Sequence, residues 1–201
     1  MANAKNAVRK LQDFSKAEKE FMLKIARESI EDGVMHIKKE MPKRVPSRLL
    51  ENGACFVTLT HEGHLRGCIG SLEAHEPLIK NIIRNAYNAA FRDPRFMPVQ
   101  KDEIEDIDIE ISVLTKPKEL KYSDERDLLN KLNPPYDGVI LSKGGRSATF
   151  LPTVWEHFKI DGIYDKIGFL TELCLKAGLD IDEWKKGCKI EIYHTIVIRE
   201  K

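Results

Sequence analysis

Residues 54–70 read ACFVTLTHEGHLRGCIG, and this stretch decides the fold. The run from Ala54 to Thr60 is rich in strand-forming residues, Glu62-Gly63 supplies turn chemistry, and a second run, Leu65 to Leu72, follows. The pattern predicts an antiparallel hairpin. Depending on the register, its two cysteines, Cys55 and Cys68, can lie near each other on paired strands.

The residues on either side of this hairpin predict helices and one clear strand. Ser15-Lys16-Ala17-Glu18 has the form of a capping box, and apolar residues at helical spacing extend the predicted helix to about Lys39. Pro77 can open a second helix, with apolar positions up to Phe91. From Asp106 to Val113 acidic or polar residues alternate with apolar ones, which predicts a half-buried strand.

The second half of the chain repeats this order of elements. A short helix is expected over Asp124 to Leu132, and a hairpin around Gly144-Gly145. A helix from Tyr164 to Lys176 should end at Gly178, and isoleucines alternate along one final strand, Ile190 to Ile198. Helices beside antiparallel strands predict an α+β fold made of two halves of similar plan.

Composition bounds the function only weakly. The 201 residues have a formal net charge of +1, which gives no global attraction to nucleic acid or membrane. No apolar run is long enough to cross a bilayer, and the first residues lack an apolar signal core. The four cysteines show no CxxC spacing and no export signal precedes them, so we expect a cytoplasmic protein with reduced thiols and no metal site. No cofactor is expected either.

Several separated motifs occur in one order along the chain. Leu65-Arg66-Gly67-Cys68-Ile69-Gly70 is followed by Asp93-Pro94-Arg95-Phe96, then by Ala148-Thr149-Phe150-Leu151-Pro152 and Lys176-Ala177-Gly178. In this respect the chain resembles the AMME-syndrome candidate protein domain family, whose microbial members are called AmmeMemoRadiSam system protein A. The likeness spans about Ser15 to Ile198.

The resemblance implies more about the fold than about the function. It implies two interlocked α+β subdomains that share a largely antiparallel, barrel-like sheet with flanking helices. We therefore expect a polar lead-in over residues 1–14 and a single domain of two intimately packed subdomains over residues 15–201. It also implies partners, a radical SAM enzyme and a Memo-family protein, but no established reaction.

The Arg-Gly-Cys segment is the predicted site. In an extended strand, Leu65, Gly67 and Ile69 would face the core, whereas Arg66 and Cys68 would project together into a cleft. A guanidinium there can stabilise a thiolate. The structural alternative is that Cys68 is a small buried hydrophobe and that Gly67 and Gly70 only permit tight packing.

A second candidate lies on the alternating strand, where Asp106, Asp108 and Glu110 share one face. These carboxylates can be a water-facing row that discourages edge aggregation. Alternatively, Asp108 or Glu110 faces Arg66 across the sheet and forms a polar cleft with it. The predicted ligand- or partner-binding residues are therefore Arg66, Gly67, Cys68, Gly70, Asp108 and Glu110.

Three functions fit these residues. The first is an accessory or binding protein that presents the cleft around Arg66 to Gly70 to a partner or a small ligand. The second is a thiol enzyme with Cys68 as nucleophile, and its base could be His75, His157 or His194. The third is a weak nucleic-acid-binding or regulatory protein that uses the Lys38 to Arg48 cluster and the loop at Lys143 and Arg146. Whether the chain is an enzyme stays open.

Overall fold

The computed structural model describes residues 13–37 and 40–200, and their contacts form two compact units. The first unit contains the residues up to Leu114 and those from Ile196 onward, and the second is Thr115–Thr195. The expected α+β class with antiparallel strand pairs is confirmed. Whether the two units pack intimately as subdomains stays a prediction.

Among its described residues, the first unit contains two long helices and one four-stranded sheet. Its elements are α1 (Lys16–Val34), β1 (Ala54–His61), β2 (His64–Gly70), α2 (Leu78–Phe91), β3 (Ile107–Leu114) and β10 (Thr195–Arg199), with 3₁₀ turns at Ser47–Leu50 and Lys101–Glu103. The sheet has the strand order β10-β3-β1-β2, and both β2 and β3 run antiparallel to β1.

The predicted first helix forms, but it ends earlier than expected. The Ser15 side chain accepts from the backbone N–H of Glu18, and the Glu18 carboxylate accepts from the Ser15 backbone N–H, so the capping box is confirmed. The helix ends at Val34 rather than near Lys39. The chain turns after Met35, and the φ angle of His36 is +58°, which is incompatible with a continued right-handed helix. Lys38 and Lys39 lie outside the described residues.

The core of the first unit lies between its helices and one face of its sheet. Apolar side chains at alternate positions, such as Val57, Leu59 and Ile109, are buried against residues of α1 and α2. The two helices therefore cover the inner face of the sheet. The strand residues that alternate in sequence with these buried ones point to the opposite face of the sheet, which we call the outer face.

The second unit also has a four-stranded sheet, and a two-stranded hairpin. Its elements are β4 (Lys118–Glu119), α3 (Glu125–Lys131), β5 (Gly138–Lys143), β6 (Arg146–Phe150), β7 (Lys159–Ile160), β8 (Ile163–Tyr164), α4 (Lys166–Lys176) and β9 (Lys189–Tyr193), with 3₁₀ turns at Pro152–Phe158 and Glu183–Lys186. The strand order of the sheet is β4-β9-β5-β6. The hairpin predicted around Gly144-Gly145 is confirmed, and Gly178 has the expected positive φ of +70° after the last helix.

The final strand differs from its prediction. The alternating isoleucines belong to two strands, because the chain leaves β9 at Tyr193 and enters β10 at Thr195. β9 pairs with β5 of the second unit, whereas β10 lies beside β3 of the first. The strands are thus divided between separate sheets, and no closed barrel forms among the described residues, which corrects the expected shared barrel-like sheet.

Two further expectations concern the ends of the chain and the membrane. Residues 1–12 of the predicted lead-in lie outside the described residues, whereas Phe14 is buried in the core with the Arg48 guanidinium over its ring. None of the described helices has both the length and the apolar character needed to cross a bilayer.

Candidate functional site

A β-bulge at Arg66 determines which side chains of β2 face outward. Thr60 pairs with Leu65 and Leu59 pairs with Gly67, so Arg66 is the extra residue between two ladder positions. The bulge moves Leu65 to the outer face, where it is 46% exposed, although strict alternation predicted it for the core. Beyond the bulge, Gly67 lies opposite the inner-face residue Leu59, as predicted.

Both glycines of the segment have packing roles. A Cβ on Gly67 would overlap the carbonyl oxygen of Ala89 in α2, so only glycine lets the strand approach that helix so closely. A Cβ on Gly70 would overlap the Phe56 ring. The structural alternative considered for these two glycines therefore accounts for their presence.

Arg66 is held by a carboxylate that the sequence did not indicate. Its Nε and Nη2 donate to the two carboxylate oxygens of Glu103 at 2.7 and 3.0 Å, a bidentate pair. This hydrogen bonding lowers the pKa of Glu103. Arg66 therefore pairs with Glu103 and not with Asp108 or Glu110, and its Nη1 is buried with no hydrogen-bond partner among the described residues.

Cys68 lies beyond the bulge on the outer face and is half-buried. The Thr58 hydroxyl donates to its Sγ at 3.2 Å from the neighbouring strand. Its backbone N–H donates to Oδ2 of Asp93 at 2.8 Å, and its carbonyl accepts from Nη2 of Arg95 at 3.3 Å. The main chain of Cys68 is therefore fixed on both sides, while its thiol remains partly accessible.

Asp93 and Arg95 come from the turn Asp93-Pro94-Arg95-Phe96 after α2. Asp93 is 4% exposed, and its pKa is held well below its ordinary value, chiefly by the Arg95 guanidinium at 2.6 Å and also by the backbone N–H groups of Cys68 and Arg95. The sequence predicted only a rigid turn here. The Asp93-Pro94-Arg95-Phe96 motif was visible in the sequence and could have marked these residues as functional. Its distance from Cys68 along the chain, however, does not show that the turn contacts Cys68.

Three strands bring further side chains beside Cys68 on the outer face. Cys68 lies opposite Thr58, and Thr58 lies opposite Glu110 on its other side, so the three form a row across β2, β1 and β3. Nε of Arg199 in β10 donates to Oε2 of Glu110 at 2.6 Å. Asp108 lies opposite Thr60 in the next outward-facing row. We call this surface the Cys68 face: Phe56, Thr58, Thr60, Cys68, Gly70, Asp108, Glu110 and Ser112.

The other three cysteines are buried. Cys55 faces the core from β1, where burial raises the pKa of its thiol to about 12. The buried side chain of Asn81 accepts from the Cys55 backbone N–H at 3.0 Å, and Asn85 donates to the Cys55 carbonyl at 3.0 Å. Cys55 and Cys68 therefore lie on opposite faces of the hairpin, and both are free thiols.

A cavity of about 540 Å³ begins one residue after the segment, at Ser71. Its polar walls are largely bonded to one another: Asn81 donates to Ser71 and Glu76, and Arg84 pairs with Glu76 at 3.0 Å. Glu73 bonds the ring of His75 at the same opening. Residues 66–70, for which the cleft was predicted, are not part of the lining of this cavity, and Cys68 lies half-buried on the outer face of the sheet.

The remaining sequence candidates are placed as follows. Nζ of Lys143 bonds Glu183 at 2.6 Å, and Arg146 bonds the carbonyl of Gly178, so both loop cations have partners within the second unit. His194 bonds the buried carboxylate of Asp137 at 3.0 Å. Within the described part of the first unit, no histidine hydrogen-bonds Cys68.

Comparison with known proteins agrees with the resemblance seen in the sequence. The family model described as AMMECR1 matches residues 23–198. Protein MK0488 of Methanopyrus kandleri is 37% identical over 188 residues, which cover 92% of this chain and 89% of that protein. Protein LS215_2104 of Saccharolobus islandicus is 39% identical over 186 residues, covering 90% of this chain and 80% of that protein.

A solved structure shows the same architecture. The crystal structure of the uncharacterized protein PH0010 from Pyrococcus horikoshii matches with a TM-score of 0.78 and 33% sequence identity, and the match covers 94% of each chain. None of these three names states an activity, so a function must be argued from the geometry of the Cys68 face.

Proposed function

The chain belongs to the AMMECR1 family, and this membership does not indicate a reaction. From the geometry of the Cys68 face, we propose that the protein is a binding protein. The Cys68 face presents a thiol, hydroxyls and paired charges on a sheet surface opposite to α1 and α2. A partner protein is the occupant that this open surface fits best. The radical SAM enzyme and the Memo-family protein implied by the resemblance are the first partners to test.

One observation carries this proposal: the main chain at Cys68 is rigidly held although its side chain is not buried. Asp93 and Arg95 bond the N–H and the carbonyl of Cys68, and Asp93 is itself buried. Such fixation lowers the conformational entropy that a surface loses when it binds. The described part of the first unit offers Cys68 no hydrogen-bonded histidine, which favours recognition over catalysis.

The state of the cysteines also bears on the compartment. All four cysteines are free, and none is paired by the fold. We propose the cytoplasm as the compartment, because free thiols suit a reducing environment.

An affinity capture experiment tests the partner. The tagged chain is mixed with the purified Memo-family protein and with the radical SAM enzyme of the same organism, under reducing and oxidising conditions. Glu110→Lys reverses a charge on the Cys68 face, and Glu172→Lys, an exposed position of α4 in the second unit, is the matched control. We expect Glu110→Lys to reduce the captured partner by about tenfold and Glu172→Lys to leave it unchanged.

Two results would contradict the proposal. One is that neither partner is retained in any redox state. The other is that both charge reversals reduce capture equally, which would mean that the surface involved is not the Cys68 face. The Arg199 side chain is 64% exposed and that of Glu110 is 29% exposed, so solvent screens the pair that is lost, and Glu110→Lys should stay folded; circular dichroism checks this.

A thiol enzyme is the second candidate, and a specific observation favours it: Cys68 is the one cysteine of the four that is not buried. Arg95, rather than the predicted Arg66, is the cation that contacts this residue. If Cys68 is a nucleophile, iodoacetamide should alkylate Cys68 at pH 7 faster than it alkylates the thiol of free glutathione. If Cys68 is alkylated no faster than glutathione, it differs from the other cysteines only in its exposure, and the hypothesis of a thiol enzyme is rejected.

A further inference from the structure

A second cavity lies between the two helices of the first unit, on the side of the sheet away from the Cys68 face. Its volume is about 480 Å³, and its lining includes Ser29 and Gly33 of α1 and Ile83 of α2. That volume lies in the range of small-molecule sites in proteins. An inference about a ligand in this cavity is independent of the function proposed for the Cys68 face.

The lining of this cavity contains both apolar and basic side chains. Ile37 and the ring of Tyr87 contribute apolar surface, and Ile37 remains 54% exposed. Arg84, Arg92 and His36 also belong to the lining, whereas none of the described lining residues carries a carboxylate. The cavity therefore combines apolar surface with arginine charge that no carboxylate of its described lining neutralises.

The two arginines differ in how far they are already engaged. Arg84 pairs with Glu76 at 3.0 Å outside this cavity. The guanidinium of Arg92 lies 5.6 Å from the centre of the Tyr87 ring and has no carboxylate partner among the described residues. A guanidinium that stacks on an aromatic ring keeps its N–H donors at the edge of its plane, where they can bind an anion.

We propose that this cavity binds a small organic anion, a molecule with an aromatic or aliphatic body and one acidic group. The body would lie between Ile37, Ile83 and Tyr87, and the acidic group would pair with Arg92. An apolar body would cover the exposed side chain of Ile37, and an acidic group would neutralise the charge of Arg92.

Two matched fluorescent probes test the proposal on the full chain. 8-Anilinonaphthalene-1-sulfonate carries the required anion, and N-phenyl-1-naphthylamine has the same aromatic body without it. Arg92→Gln removes the charge, and Arg126→Gln removes an exposed arginine of the second unit as control. At low ionic strength we expect Arg92→Gln to weaken binding of the sulfonate by about five- to tenfold and to leave binding of the neutral probe unchanged. Arg126→Gln should change neither.

A third variant controls for a competing surface. Ile160 and Ile163 of the second unit are 64% and 74% exposed and could attract the same dye. If Ile163→Ser lowers the sulfonate signal more than Arg92→Gln does, the dye binds there and the proposal is wrong. It is equally wrong if the sulfonate does not bind, if Arg92→Gln leaves its affinity unchanged, or if that variant weakens both probes alike.

Discussion

The two units stabilise their cores with different chemistry. In the second unit, Trp155 stacks on Phe169 with ring centroids 3.5 Å apart, and Phe150 and Phe158 pack edge-on against the same ring. The core of the first unit is mainly aliphatic, but four polar side chains are buried among the residues of that unit that the structure describes: Ser29, Asn81, Asn85 and Asp93.

The buried polar groups of the first unit are concentrated around one hairpin. Asn81 and Asn85 bind the backbone of Cys55 on β1, and Asp93 binds the backbone of Cys68 on β2. Aromatic pairs are stable in several ring arrangements, whereas hydrogen bonds to the main chain fix the position of a strand. In the first unit, side-chain hydrogen bonds thus hold the backbone of the hairpin on which the proposed site lies.

The largest expected effect concerns the aromatic core. Trp155→Ala removes the ring stacked on Phe169 and leaves the carbonyl of Asp137 without its indole donor. We expect a loss of about 3–5 kcal/mol in the free energy of unfolding, measured by urea denaturation. Trp155→Phe keeps an aromatic ring and should cost clearly less. Equal losses in both variants would mean that stacking contributes little to the second unit.

A smaller effect is expected where the first unit is most tightly packed. Gly67→Ala introduces a methyl group against the Ala89 carbonyl and should lower the free energy of unfolding by about 2–3 kcal/mol. Cys68→Ala, one position further along β2, adds no atom and is the control. If Gly67→Ala proves as stable as the parent chain, the close contact between β2 and α2 is not rigid.

The buried carboxylate of the first unit predicts a pH dependence. The folded pKa of Asp93 is depressed by Arg95, so its stabilising contribution is complete above the unfolded pKa of about 4 and is lost as the pH falls through the lower, folded value. Asp93→Asn should therefore cost about 1–2 kcal/mol at pH 7, and the difference from the parent chain should narrow below about pH 4. Urea denaturation at pH 7 and pH 3 measures it.

The exposed carboxylate Asp106 supplies the control for that experiment. Asp106→Asn should change stability little at either pH. A difference between Asp93→Asn and the parent chain that stays constant with pH would contradict the role given to the Asp93 carboxylate.

The smallest effect is expected on the outer face itself. Arg199 pairs with Glu110, but its side chain is 64% exposed, so solvent screens the pair. A double-mutant cycle of Arg199→Gln and Glu110→Gln should give a coupling of about 0.5 kcal/mol or less. A coupling above about 1 kcal/mol would indicate that this face is more strongly desolvated than its exposure implies.

Local patterns predicted most of the fold. The capping box at Ser15, the helix after Pro77 and the alternation from Ile107 each depend on residues within a few positions of one another. The division of the last isoleucines between two sheets could not be predicted in this way. Both strands alternate alike, and only pairing with distant strands distinguishes them.

The site was predicted less completely, for the same physical reason. The alternation of the strand correctly predicted that Gly67 and Cys68 lie on opposite faces of the sheet. The bulge at Arg66 interrupts this alternation, so that Leu65 lies on the outer face and not on the predicted inner face. The partners Glu103 and Asp93 come from segments that are remote in sequence. A strand pattern indicates which face a side chain takes, but it does not indicate which loop meets that face.

The position of β10 has a consequence for synthesis of the chain. β10 lies at the edge of the first sheet beside β3, and Glu200 bonds the Arg27 guanidinium of α1, yet both follow the whole second unit in sequence. While the ribosome translates Thr115–Thr195, β3 has an unpaired edge and Arg27 lacks its carboxylate. An exposed strand edge is a template for wrong pairing, so we expect the nascent chain to be vulnerable to aggregation until β10 has emerged from the ribosome.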